Sequence, residues 1–227
     1  MTIPKIVFST WKTKNLPEHM RENYKSLISQ NPDCKFYLYD DEDCRILIKK
    51  FFPEKILKTY DKLIPPAYKA DLWRYCVLYK FGGIYLDIKF NCTNDFKLSR
   101  LTYKEHFVLD KGLEGHPIMD NGIYNGLLVC KPKSLFLVDC INEVIKNVNF
   151  KYYGNSPLSP TGPLMCKKIY DKHYNNIHFD LVFKKDLNIY YNDFLVITQY
   201  PEYRNEQQKL QKLPHYSILW DKKMIYK

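Results

Sequence analysis

Two short stretches carry residue types that can do chemistry. In DLWRYCVLYKF, Asp71 and Arg74 stand at i and i+3, so a helix places a carboxylate and a guanidinium side by side on one face. In FGGIYLDIKF, residues 81–90, an alternating run follows two glycines. With a side-chain period of 2, Tyr85, Asp87 and Lys89 share one strand face, and Ile84, Leu86, Ile88 and Phe90 share the other. The apolar face is built for burial. The polar face is either a solvated edge or the floor of a site that offers hydrogen-bond acceptors beside fixed positive charge. Each feature also has a plain reading when taken alone: a solvated ion pair worth about 0.3–0.5 kcal/mol, a polar strand face, and glycines that end a helix.

The elements that must position these groups read in α/β order. IPKIVFST is a short β-rich run ending at Ser9, Thr10 and Trp11; LPEHMRENYKSLISQN is helix-compatible and stops at Asn31 and Pro32; KFYLY is a second strand, and a helix follows the acidic cluster Asp40–Asp43. Pro65 and Pro66 introduce a helix in which Ala70, Trp73, Val77 and Phe81 form one apolar side, and Gly82 with Gly83 supplies its left-handed end. Beyond residue 100, HFVLD and YNGLLVCKP read as strands and SLFLVDCINEVIKNV as an amphipathic helix. A second helix starts near SPTGP, with Thr161 as its cap and Pro163 in its first turn, and FDLVFKK and FLVITQYP are further strands. The tail LPHYSILWDKKMIY has no clear period.

Composition bounds the rest. A chain of 227 residues suits one core, and with 45% hydrophobic and 16% aromatic residues it is not a disordered segment. A formal charge of +10 favours anionic partners, but the lysines are scattered among acids with no basic run, so no specific nucleic-acid partner is expected. Seven dispersed cysteines without a CxxC pair read as reduced core thiols. With no leader-like N-terminus and no apolar run of about 18 residues, the expectation is a soluble, cytosolic chain without a transmembrane segment.

In order and approximate separation, IPKIVFSTW and DLWRYCVLYKFGGIYLDIK resemble the signature of glycosyltransferases with a DxD sugar-binding region. That family is typified by initiation mannosyltransferases, inositol-phosphoceramide mannosyltransferases and α-galactosyltransferases, and distantly by the large glucosylating toxins. The resemblance is dense over residues 1 to 95; later, YNGLLVCKP, SPTGP and HYSILW are similar to the family's Asn strand, TGP turn and closing segment. It implies a single GT-A type domain over residues 1–227: a Rossmann-like nucleotide-binding sheet flanked by helices, merged with a mixed-sheet acceptor half. It further implies transfer of a hexose from a UDP- or GDP-sugar to a hydroxyl of a glycan, glycolipid or protein acceptor, with retention of configuration. Such a reaction needs positive charge at the departing diphosphate and acceptors for sugar and ribose hydroxyls.

By the same resemblance, Ser9, Thr10 and Trp11 line the nucleoside pocket together with Tyr85, Asp71 and Arg74 hold donor sugar and phosphate, and Asp87 is the first carboxylate of the DxD. Asn125, Thr161, Gly162 and Trp220 fall on the acceptor side or on a lid. Lys89 is the departure, because an ammonium replaces the second carboxylate, the usual ligand of Mn²⁺ or Mg²⁺. Three outcomes stay open. A metal is held by Asp87 with His215 and the diphosphate, or Lys89 itself neutralises the diphosphate, or the site is degenerate and binds without turnover. The other histidines, His19, His106, His116, His173 and His178, have no metal-ligand spacing.

Overall fold

The computed structural model describes residues 2–111, 122–174 and 179–227. Their strands form a nine-stranded mixed sheet in the order β2-β1-β3-β6-β5-β7-β8-β9-β4. One half is parallel: β1 (Ile6–Thr10) lies between β2 (Lys35–Tyr39) and β3 (Gly83–Leu86), the arrangement that helical crossovers produce. The crossovers are α1 (Glu18–Gln30) and then α2 (Asp41–Phe51), α3 (Glu54–Lys62) and α4 (Pro66–Phe81). The other half is mixed, running from β6 (Gly122–Cys130) and β5 (His106–Asp110) through β7 (Leu181–Phe183), β8 (Ile189–Tyr191) and β9 (Phe194–Gln199) to β4 (Phe90–Cys92). Helices α5 (Leu135–Asn149), α6 (Pro163–His173), α7 (Tyr203–Leu210) and α8 (Tyr216–Asp221) complete the chain.

The alternation of β3 and β6 explains the layers. Tyr85, Leu128 and Cys130 face a core shared with α2 to α6 and α8, while Ile84, Leu86, Leu127 and Val129 face a second core shared with Leu27 of α1 and with β4, β7, β8 and β9. Both faces of these central strands are covered.

Sheet order also fixes the shape around the polar stretch. Strand β3 is third in the sheet and β4 is ninth, yet only Asp87, Ile88 and Lys89 separate them. Four Cα steps span no more than about 14 Å, so the sheet curls until its far edge returns to β3. The run 84–90 is therefore not the single strand that its alternation predicts. It breaks at Asp87, whose N–H donates to Gly126 O (2.9 Å) and whose carbonyl accepts from Phe90 N (3.1 Å), forming a turn. Asn23, buried on α1, fastens this turn with its Nδ2 donating to Ile88 O and Phe90 O, each at 3.1 Å.

Helix α4 departs from its predicted one-sided pattern too. Tyr68 and every residue from Asp71 to Leu78 are buried, because the other helices pack around it against the sheet. Helix α3 was not predicted, although Pro53 at its cap and Ile56, Tyr60 and Leu63 at helical spacing announce it. At the end of α4, Gly82 has φ 66° and ψ −174°, outside the left-handed helical region and open essentially to glycine alone. A Cβ on Gly83, at φ 110°, would stand 2.6 Å from Ile6 O on the paired strand.

Gly83→Ala is accordingly expected to lose at least about 1–3 kcal/mol from backbone strain, a fall in Tm of several degrees that thermal unfolding followed by circular dichroism measures. Unchanged melting would contradict this reading of the β1–β3 contact.

Candidate active site

Every strand of the parallel half delivers its carboxyl end to one rim, where open α/β sheets place their ligand crevice. At that rim lie Trp11 after β1, Asp87 after β3 and Asp110 at the end of β5. A concavity of about 380 Å³, lined by Tyr103, His106, Tyr170 and Asp180 among others, opens beside the amino end of β5 and shares no residue with this rim.

The polar cluster is built around Arg74. Its Nε donates to Ala70 O (3.2 Å) and its Nη1 to Asn125 O, which fixes the plane of the guanidinium between α4 and β6. Nη2 lies 3.4 Å from Asp71 Oδ1, Nη1 lies 3.9 Å from Asp87 Oδ1, and the Tyr85 ring faces the guanidinium at 4.4 Å. With Asp71 and Arg74 only 8% and 6% exposed, the pair is not the solvated surface pair that its spacing alone allows. Such a charge is tolerated in an interior only when paired and hydrogen-bonded.

Each carboxylate has its own shell. Asp71 Oδ2 accepts from Thr161 Oγ1 (2.7 Å), and Oδ1 accepts from Asn125 Nδ2 (3.2 Å). Burial pushes the Asp71 carboxyl up, with Arg74, Thr161 and Asn125 acting against it. Asp87 Oδ1 accepts from Tyr85 Oη (2.7 Å), and Oδ2 pairs with Lys89 Nζ (3.2 Å). Burial alone would raise Asp87, but the charges of Lys89 and Arg74 and the Tyr85 hydroxyl hold it below the usual carboxylate range. The same neighbourhood keeps Arg74 charged: burial opposes the charge, and Tyr85, Asp71 and Asp87 more than offset it. Two carboxylates are thus driven in opposite directions around one guanidinium, an arrangement concentrated at functional sites. Asp87 keeps a quarter of its side chain exposed, so the cluster reaches solvent on that side.

Thr161 does not cap α6. Gly162 occupies that position without a side-chain hydrogen bond, and the Thr161 hydroxyl is spent on Asp71 instead. A Cβ on Gly162 would come 3.3 Å from Leu158 O and into ordinary contact, 3.5 Å, with Asp71 Oδ2. Ser9 and Thr10 turn inward. Ser9 Oγ donates to Leu86 O (2.7 Å), and Thr10 Oγ1 to Tyr39 O (3.0 Å), so both hydroxyls hold the parallel strands together. Trp11 packs edge-on against Tyr203 at 6.3 Å, and its indole N–H is buried with no partner among the described residues. Trp220, on α8, spends its Nε1–H on Tyr153 O (2.7 Å). His215 is the N-cap of α8, where Nδ1 lies 3.4 Å from Ser217 N and 2.8 Å from Ser217 Oγ, and its ring packs 4.1 Å from Tyr216. His116 and His178 lie outside the described residues.

Several residues of the site gave no motif in the sequence. Tyr75 Oη accepts from Asn125 Nδ2 (2.6 Å) and donates to Thr161 O (2.7 Å), joining α4, β6 and the turn before α6. Tyr124, Tyr203 and Tyr216 surround the rim; burial raises the Tyr124 and Tyr216 hydroxyls, Asp87 adds to the first and Asp71 to the second, and Asp110 adds a smaller share to both. Only Tyr75, one α4 turn beyond Asp71, is placed by helical period; the aromatics come from segments without one.

Comparisons with known proteins give the cluster a context. Residues 17–111 match a family described as glycosyltransferase sugar-binding region containing DXD motif. The chain is 42% identical over 171 residues to inositol phosphoceramide mannosyltransferase 3 of Schizosaccharomyces pombe, covering 74% of this chain and 45% of that protein. To mannosyl phosphorylinositol ceramide synthase SUR1 of Saccharomyces cerevisiae it is 37% identical over 175 residues, 75% of this chain and 42% of the relative. The chain spans somewhat less than half the length of these curated relatives. Among solved structures, the PaToxG glycosyltransferase superposes with a TM-score of 0.57 at 17% identity, covering 76% of this chain and 70% of that one.

Proteins with a DXD region generally use a divalent metal, but the donors here do not fit one. Asp87 Oδ2 lies 3.2 Å from the Lys89 ammonium, which takes the place of the second carboxylate and repels a cation. Among the described residues no group of three or more His, Cys, Asp or Glu side chains is placed to hold a metal.

The low Asp87 pKa carries a sign that can be checked. A carboxyl depressed in the folded state stabilises above the unfolded carboxyl range near pH 4, and that stability is lost as pH falls through the folded value. Tyr85→Phe is expected to cost about 1.5–3 kcal/mol near neutrality, the range for a hydrogen bond to a charged group, and progressively less under acid, as read from denaturant unfolding across pH. A deficit that stays constant down to pH 2–3 would contradict the Tyr85–Asp87 bond as its source.

Proposed function

We propose, for a chain that belongs to the family of glycosyltransferase sugar-binding regions containing a DXD motif, that it moves a hexose from a UDP- or GDP-sugar to an acceptor hydroxyl. The fold is of the GT-A type, and the catalytic domain is taken to span residues 1–227. The relatives' names favour mannose as the sugar and an inositol-phosphoceramide headgroup as the acceptor, ahead of other glycans, lipids or proteins.

The observation that carries this reading is convergence. Asp71 and Arg74 from α4, Asp87 from the end of β3, Asn125 from β6 and Thr161 from the turn before α6 meet in one hydrogen-bonded cluster at the carboxyl ends of the strands. Each group then has a task. Asp87, held ionised and partly exposed, accepts from hydroxyls of the donor. Arg74 offers a fixed positive charge to the departing diphosphate, pre-oriented by Asn125 and Asp71, so no reorganisation is needed as negative charge grows there. Asp71 orients Arg74 and Thr161, and Asn125 locks Asp71 in turn.

No separate general base is assigned. The transfer is read as a same-face displacement in which the leaving phosphate oxygen takes the acceptor proton, which yields an α-linkage with retention. Catalysis in such a site is chiefly positioning and leaving-group stabilisation.

Donor hydrolysis provides the test. Incubation with a panel of UDP- and GDP-sugars is expected to release nucleoside diphosphate from at least one of them, and Asp71→Asn is expected to slow that release by roughly 10²–10³-fold while the protein still melts cooperatively. Intact nucleotide binding with no release from any donor would overturn the transferase in favour of a binding protein.

A further inference from the structure

Lys89 is held as firmly as a catalytic group, although the turn that carries it is only three residues long. Its carbonyl accepts from Tyr200 N (3.1 Å), and the peptides on either side are fastened by Asn23. Its side chain is 13% exposed. Three aromatic rings confine it, with its Nζ 5.1 Å from the Phe90 centroid, 5.5 Å from Tyr124 and 5.7 Å from Tyr203. Rings so disposed favour a cation and remove the rotamer freedom that a lysine otherwise loses on binding. Asp87 is the single anionic partner of the ammonium among the described residues, at 3.2 Å, so N–H groups remain for oxygens of a ligand.

The charges of the cluster close without a metal. Asp71 and Asp87 bring two negative charges, and Arg74 and Lys89 bring two positive ones. A carboxylate at position 89, as the DXD pattern would have it, leaves the four groups two units negative, the deficit that one divalent ion removes. With lysine there the deficit is gone, and a divalent ion at Asp87 would face an ammonium at close range.

A second, independent observation marks the same place as incomplete. Among the described residues the indole N–H of Trp11 and the Tyr124 hydroxyl are buried without a hydrogen-bond partner. Both are joined to Lys89 through rings, Tyr124 directly and Trp11 through Tyr203. Buried donors in proteins are satisfied by protein, water or ligand, so these two leave room for an acceptor beside Lys89.

Resting on the transferase reading above, we propose that this chain binds its nucleoside diphosphate without a divalent cation, Lys89 serving as the built-in counter-charge at the position where its relatives' motif places a metal ligand. The probes are UDP and GDP, titrated calorimetrically into the full chain in excess EDTA and again in millimolar Mn²⁺. For the wild type, the Kd of at least one of them is expected to agree within about threefold between the two buffers. Lys89→Arg is expected to keep that behaviour, and Lys89→Met to weaken binding in EDTA by about tenfold or more. Lys89→Asp is expected to bind only when Mn²⁺ is present. Wild-type binding that vanishes in EDTA and returns with Mn²⁺ would overturn the inference and leave the transferase standing; absence of binding in both buffers would overturn both. The wild-type arm decides the matter even if a variant fails to fold.

Discussion

A guanidinium at 6% exposure organises this structure. Arg74 cannot be buried uncompensated, and its compensation comes from places far apart in the chain: Asp71 one turn earlier, Asp87 beyond the helix end, and the carbonyl of Asn125 on a strand that follows more than thirty residues later. To satisfy it, α4 must lie inside the molecule, and β3 and β6 must pair so that Leu86 stands opposite Leu127. The curl of the sheet then brings β4, and with it Lys89, back to the same rim.

Much of this was legible because it rests on local rules. The spacing of Asp71 and Arg74, the glycine pair and the strand after it follow from helix period, backbone freedom and alternation. What the sequence could not show is where each element lies in space. That Asp71 and Arg74 are interior rather than solvated depends on helices wrapping α4 from several sides. The break at Asp87 depends on β4 pairing with β9, more than a hundred residues away, and no alternation within residues 84–90 can announce that. Thr161 has the residue type of a helix cap, yet a buried carboxylate competed for its hydroxyl and won, since a charged acceptor makes the stronger bond. Helix α3 was legible and was missed, its prolines and its 56, 60, 63 spacing being adequate signals.

Residues expected to touch the nucleoside separate into two kinds. Ser9 and Thr10 hold the sheet together and present no free hydroxyl to the rim. Trp11 and Tyr203 instead form the wall beside Lys89. That wall is anchored through α7, where Glu206 accepts from His19 N (3.0 Å) and Met20 N (3.1 Å) and so caps the start of α1 with a carboxylate, the favoured charge at a helix N-terminus. Tyr200 donates to the same carboxylate (2.8 Å) while its own N–H holds Lys89. One acidic side chain therefore couples the helix that fastens the 87–90 turn to the segment that encloses its lysine.

The proposed transfer requires these distant residues to share one diphosphate pocket at the carboxyl rim. A crystal structure of the chain soaked with UDP or GDP tests it most directly. Phosphate oxygens are expected within about 3 Å of Lys89 Nζ and beside the Arg74 guanidinium, with the base against Trp11. Nucleotide bound at the opposite end of the sheet, around Tyr103 and His106, with the Asp87 rim left to solvent, would contradict it.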